Sequence, residues 1–91
     1  MHAVHEPFGI ARMLAHLPLE IVRRYEHWKD VVRLSGPPGL IALPGLRDRA
    51  GAPRRARVSD LGTRHRVIYR VRRRGVRVLE VGPVTEAGGR R

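Results

Sequence analysis

The chain has 91 residues and no cysteine, and its 19 Lys and Arg against 8 Asp and Glu give a formal net charge of +11. This length excludes a second hydrophobic core, and the lack of cysteine excludes disulfide scaffolds, thiolate metal sites and cysteine nucleophiles. No apolar run approaches the ~20 residues of a membrane span and no secretory signal pattern opens the chain, so we expect one cytoplasmic domain over residues 1–91 without membrane contact.

Helical periodicity marks the first part of the chain. Residues 1–9 show no periodicity, which predicts a flexible end or a poor edge strand. Residues 10–17 have the apolar spacing of a short helix, and Pro18 suits the start of a second helix that runs to about Leu34. The apolar stripe of this helix predicts core packing rather than base stacking for its members, Ile21, Val22, Tyr25, Trp28 and Val32.

The second part of the chain changes to the period of β-strands. We expect a basic loop over residues 47–54 and strands over 55–61, 65–72 and 76–81, joined as two hairpins in series. The predicted fold is α+β, with two antiparallel helices packed on one face of a small twisted antiparallel sheet. Residues 83–91 are expected to form a second flexible end.

The positive charge is concentrated in one segment. Residues 36–77 hold 12 basic side chains and only two acidic ones, Asp48 and Asp60. Lys29 is the only lysine of the chain. A coding bias toward arginine would explain that ratio equally well, but it would not explain the clustering. Because the guanidinium group binds phosphate through two parallel hydrogen bonds, the cluster indicates a nucleic-acid partner.

Several short motifs follow one another over residues 17–81. They are Leu17-Pro18, a helix with Tyr25 and Trp28-Lys29, Gly36-Pro37, Gly39-Leu40, Pro44-Gly45, Asp48, Arg57 and Arg66-Val67-Ile68-Tyr69. In this order they resemble the RelE/StbE branch of the RelE/ParE toxin superfamily. The resemblance implies the toxin of a type II toxin–antitoxin module that cleaves mRNA on the ribosome without a cofactor or metal. The implied partners are the ribosome and mRNA, an acidic and partly disordered antitoxin, and operator DNA reached through that antitoxin.

RNA cleavage by a ribose 2′-hydroxyl needs a proton acceptor, a group that stabilises charge on the phosphate, and a proton donor. Arg57 and Arg66 match basic positions of the family and are the expected phosphate contacts of the catalytic site. His65 is the third catalytic candidate, although strand alternation would turn it away from Arg66. Seven further arginines are expected to bind RNA: Arg47, Arg49, Arg54, Arg55, Arg64, Arg70 and Arg72. The alternative for Arg57 and Arg66 is that they are ordinary solvated strand arginines.

Other acid–base and ligand candidates are weaker. Tyr69 alternates with valines and is expected in the core, whereas Glu80 and Glu86 remain acid–base candidates. His2, His5 and Glu6 could ligate a metal, but no further ligand accompanies them, so we expect no metal site.

The C-terminal end departs from the family pattern. Val84 and Glu86 stand where the family usually has a catalytic His or Arg and a Tyr, and valine can neither transfer a proton nor stabilise charge. Two alternatives therefore stay open: a ParE-like gyrase inhibitor, or a catalytically degenerate homologue that only binds antitoxin or nucleic acid. If the chain is a nuclease, Arg66→Ala is expected to abolish growth inhibition and leave antitoxin binding nearly intact.

Overall fold

The computed structural model describes residues 2–40 and 56–84 with their side chains, and residues 48–51 as backbone. Two α-helices and five strands make an α+β fold, as the sequence predicted. The elements in chain order are β1 (Ala3–His5), α1 (Gly9–Leu14), α2 (Leu19–Ser35), a 3₁₀ turn (Pro37–Leu40), β2 (Asp48–Gly51), β3 (Ala56–Asp60), β4 (His65–Arg72) and β5 (Gly75–Pro83). No helix in the described part of the chain is long and apolar enough to cross a membrane.

Both ends of α2 follow from residues that restrict the backbone. Pro18 has an extended backbone (φ −58°, ψ 147°), and the helix begins at the next residue rather than at the proline itself. Gly36 ends the helix with φ 78°, a conformation that costs glycine little, and its N–H donates to the carbonyl of Val32 at 2.8 Å. The first helix ends at Leu14, three residues before the predicted end at Leu17.

The sheet is mixed, with the spatial order β1-β5-β4-β3-β2. The antiparallel meander of β3, β4 and β5 confirms the predicted strands. Two predictions were wrong. The sheet is not purely antiparallel, because β1 pairs in parallel with β5, and residues 48–51 of the predicted basic loop form β2 against β3. With three and four residues, β1 and β2 are too short to show an alternating pattern that could be recognised in the sequence.

The two helices cover one face of the sheet, which we call the helix-side face. Tyr25, Trp28 and Tyr69 are fully buried there. The rings of Tyr25 and Trp28 stack at 5.8 Å, and Trp28 meets Tyr69 edge to face at 5.2 Å, both within the range of favourable aromatic contacts. The prediction that these aromatics pack in the core is confirmed. Val71, which shares the alternation of Tyr69, is instead 50% exposed near the end of β4.

The opposite face, which we call the far face, carries arginines and a small apolar cluster. Ala56, Val58 and Ile68 are buried in this cluster, and Leu79 packs against them. A bulge contributes Leu79: Ile68 pairs with Glu80 and Tyr69 with Val78, which leaves Leu79 without a directly paired residue on β4.

Glu6 joins the segment before α1 to the middle of α2. The hydroxyl of Tyr25 donates a hydrogen bond to Oε2 of Glu6 at 2.6 Å, and Nζ of Lys29 lies 3.2 Å from the same oxygen. Nζ of Lys29 also lies 3.1 Å from Oε2 of Glu26. Burial first, and then the hydrogen bond to Glu6, raise the pKa of Tyr25 above its ordinary value. The buried ammonium is thus neutralised by two carboxylates.

Candidate nucleic-acid interface

Arg57 and Arg66 lie on opposite faces of the sheet. Arg57 of β3 pairs directly with Tyr69, whose ring belongs to the helix-side core, so Arg57 shares the helix-side face. Arg66 pairs with Asp60 and is the neighbour of Val67, which is buried in the helix-side core. Because successive residues of a strand point to opposite faces, Arg66 belongs to the far face. The two expected phosphate contacts cannot address the same phosphate through the sheet.

The far face presents Arg66 and Arg70 on either side of the apolar cluster. Arg70 is exposed, whereas Arg66 is half-buried and its Nε is buried without a hydrogen-bond partner among the described residues. Asp60 and Glu80 occupy the same face by register. The acidic side chains offset part of the positive charge, so this face carries charges of both signs.

His65 lies at the end of the sheet away from Arg57. It pairs with Pro83, and the N–H of Val84 donates to the carbonyl of Arg64 at 2.8 Å. Four residue steps along the strand separate His65 from Tyr69, the partner of Arg57, a span of ~13 Å at ~3.3 Å per residue. His65 is therefore not part of a site built around Arg57, and Arg64 is exposed in the turn just before it.

A cavity of about 380 Å³ brings predicted and unpredicted residues together at the opposite end of the sheet. Arg57 and Arg72, both assigned to RNA from the sequence, line it together with His2 and Arg73. The remaining lining residues are small or apolar: Pro37, Pro38, Val71 and Gly75. We call this cavity the arginine pocket. The sequence analysis missed His2 and Arg73, and the only available signal was the presence of an arginine run, Arg72-Arg73-Arg74, before the turn glycine.

His2, the residue before β1, completes the arginine pocket. The N–H of His2 donates to the carbonyl of Arg33 at 3.0 Å, and the N–H of Ala3 donates to the carbonyl of Arg74 at 2.8 Å. Gly36 passes so close to the imidazole of His2 that a Cβ there would lie 2.8 Å from Nε2. The N-terminal strand is held between the end of α2 and the β4–β5 turn, which places His2 at the pocket wall.

The electrostatics of the arginine pocket suit a phosphate. Three arginines line it, Arg57, Arg72 and Arg73, and none of the residues described as lining it is acidic. Guanidinium groups stay charged at all physiological pH values and form paired hydrogen bonds with phosphate oxygens. Pro37, Pro38 and Val71 offer an apolar wall, and the volume lies in the range of small-ligand pockets. The pocket can therefore accommodate a phosphate with part of the sugar or base attached to it.

Four of the arginines expected to bind RNA cannot be located by their side chains. Arg47, Arg54 and Arg55 lie outside the described residues, and Arg49 is described only as backbone of β2, paired with Val58. Glu86 also lies outside the described residues. Within residues 2–40 and 56–84, no group of three or more His, Asp or Glu side chains is placed to hold a metal ion.

No protein-family model, curated protein or solved structure matches this chain. The resemblance to RelE/StbE toxins is thus carried by the sequence motifs alone.

Proposed function

We propose that this chain is a RelE-like toxin of a type II toxin–antitoxin module, which cleaves mRNA in the ribosome and is neutralised by an acidic antitoxin. The observation that carries the proposal is the arginine pocket, because it gathers Arg57, a family-matched basic position, with two further arginines in a cavity of about 380 Å³. The order of motifs over residues 17–81 and the two helices on one face of a small sheet support the same assignment.

The chemistry follows from the pocket residues. When a ribose 2′-oxygen attacks the neighbouring phosphorus, negative charge accumulates on the non-bridging phosphate oxygens. Arg57 stabilises that charge through its permanently positive guanidinium group. Arg72 and Arg73 bind the same or the adjacent phosphate and hold the message in register. The net charge of +11 attracts the chain to ribosomal RNA.

The position of Val84 bears on the alternatives. Val84 stands where the family usually has a catalytic His or Arg. It follows Pro83, the last residue of β5. Gly75, the first residue of the same strand, lines the arginine pocket. The eight residue steps between Gly75 and Pro83 span ~26 Å at ~3.3 Å per residue. Loss of a catalytic residue at position 84 leaves the arginine pocket intact. A degenerate toxin that binds without cleaving would have the same pocket, and only an activity assay separates the two.

The test is cell-free translation of a reporter mRNA with the purified chain, read by primer extension. We expect cuts on translated message and none on the same message when initiation is blocked. Arg57→Gln is expected to remove the cuts. Arg23→Gln, an equal loss of charge at an exposed position of α2 outside the pocket, is expected to retain them. Intact message with normal protein yield would exclude the nuclease, and inhibition of DNA supercoiling by gyrase would then favour the ParE-like alternative.

A further inference from the structure

The arginine pocket contains one group suited to proton transfer near neutral pH. Arginine does not release its proton in this range, so Arg57, Arg72 and Arg73 can only bind and stabilise charge. Among the described residues that line the pocket, His2 alone has an imidazole, the side chain that most often acts in general acid–base catalysis. His65, the histidine singled out from the sequence, lies at the other end of β4.

The imidazole of His2 is positioned by its surroundings. The backbone N–H of His2 bonds to the carbonyl of Arg33, which ties it to the last turn of α2. Gly36 packs against the Nε2 side of the ring, where a Cβ would lie 2.8 Å from Nε2 and 2.9 Å from Cε1. Nδ1 is therefore the ring nitrogen turned away from Gly36. His2 is half-buried, so it is partly accessible to solvent.

We propose that His2 is the proton acceptor of the arginine pocket, acting on the ribose 2′-hydroxyl while Arg57 stabilises the phosphate. This inference rests on the proposed function. The 2′-oxygen forms a bond to phosphorus, the bond from phosphorus to the 5′-oxygen breaks, and Nδ1 of His2 takes the 2′-hydroxyl proton. The 5′-oxygen takes a proton from water, and the hydroxide so formed is neutralised by the proton that the imidazolium releases. The products are a 2′,3′-cyclic phosphate and a 5′-hydroxyl.

Among the described residues, three arginines line the pocket together with His2. Arg57 lines the same pocket from β3, and Arg72 and Arg73 line it from the end of β4 and the following turn. From α2 the contact is the carbonyl of Arg33, whose guanidinium pairs with Asp30 at 3.4 Å. No carboxylate is among the described lining residues, so His2 has no acidic side chain there that could take over its role.

The experiment compares His2→Ala, His5→Ala and His65→Ala in the ribosome-dependent cleavage assay, with single-turnover rates measured from pH 5 to pH 9. We expect His2→Ala to lower kcat by about 10²- to 10⁴-fold with little change in KM, the usual size of a general acid–base contribution. The acidic limb of the pH–rate profile should disappear, and imidazole added to the buffer should restore part of the rate. His5→Ala, the matched control on exposed β1, should retain both rate and profile.

Each outcome decides the inference. A His2→Ala variant with the wild-type rate and pH profile overturns it and leaves the proposed function standing. Loss of the acidic limb in His65→Ala instead would assign proton transfer to the other end of the sheet and also overturn it. A wild-type chain that leaves translated message intact overturns both the inference and the nuclease function. An unfolding midpoint measured for every variant separates a lost proton acceptor from a lost fold.

Discussion

Gly75 lies directly against the backbone of Ala3. The two residues are register partners in the parallel pairing of β1 with β5, and a Cβ built on Gly75 would overlap the carbonyl oxygen of Ala3. The residue before Ala3 is His2, which lines the arginine pocket. The first residue of β5 therefore controls whether the N-terminal strand can dock and bring His2 to the pocket.

Replacement of this glycine is expected to separate β1 from the sheet. Gly75→Ala should lower the free energy of unfolding by about 1–3 kcal/mol, the usual cost of forcing extra volume into a packed position. Gly82→Ala is the matched control on the same strand, because a Cβ there meets no atom within 4 Å. Urea unfolding of both variants checks the difference, and equal destabilisation would contradict the close contact. We also expect Gly75→Ala to increase hydrogen exchange at Ala3 and His5.

The phenol of Tyr25 is expected to make stability depend on alkaline pH. Burial and the bond to Glu6 raise its pKa in the folded protein, so the folded chain keeps a proton that the unfolded chain, with the ordinary value of 10.0, has released. The stabilisation is complete below pH 10 and is lost as pH rises above it. Between pH 10 and pH 11, the free energy of unfolding should fall by up to about 1.4 kcal/mol more in the wild type than in Tyr25→Phe. Parallel pH curves for the two proteins would contradict this assignment.

Trp28 is expected to be the most costly residue to truncate in the core. It is 0% exposed and contacts both Tyr25 and Tyr69 through ring faces and edges. Trp28→Ala should destabilise the fold by about 3–5 kcal/mol, as for other large buried aromatics. Trp28→Phe should cost less, because it keeps an aromatic ring and removes an indole N–H that has no hydrogen-bond partner among the described residues. Denaturant titration distinguishes them, and a small loss in Trp28→Ala would show that the stack is not central to the core.

Arg57 and Arg70 are expected to affect RNA differently because they lie on opposite faces. Arg70→Gln should weaken binding to single-stranded RNA uniformly and reduce the slope of log K against log salt by about 0.7, the effect of one lost phosphate contact. Arg57→Gln should lower the cleavage rate by about 10²- to 10³-fold, the cost of removing one group that stabilises transition-state charge. Fluorescence titrations at several salt concentrations and single-turnover cleavage measure the two effects. A cleavage defect confined to Arg70→Gln would place the reacting phosphate on the far face.

The parts of the fold that were predictable are those with local signals. The strand from His65 to Arg72 alternates over eight residues, and Pro18 and Gly36 bracket the long helix, so both elements could be located from sequence. The three residues of β1 contain no comparable pattern. Their pairing depends on Gly75, which lies 72 positions further along the chain than Ala3. Such long-range pairing is set by tertiary packing rather than by local sequence.

Which of the site residues lie together was harder to predict from the sequence, for the same reason. Arg57 and Arg66 both match basic positions of the toxin family, but the turn over residues 61–64 sets the register of β3 against β4 and places them on opposite faces. The pocket lining joins His2, which precedes β1, to residues of the 3₁₀ turn, β3, the end of β4, the β4–β5 turn and the start of β5. No single segment carries a motif for it. The sequence shows where the arginines are concentrated, but only the register of the strands determines which of them lie on the same face of the sheet.

The most direct test of the arginine pocket is an NMR titration of the isotope-labelled chain with a non-cleavable 2′-deoxy trinucleotide, observed at the arginine Nε–Hε groups and the imidazoles. The account predicts that the signals of Arg57, Arg72 and His2 shift together and saturate with one dissociation constant. Arg66, Arg70 and His65 should respond weakly. Shifts confined to Arg66 and Arg70, with the pocket residues unchanged, would contradict the account and assign nucleotide binding to the far face.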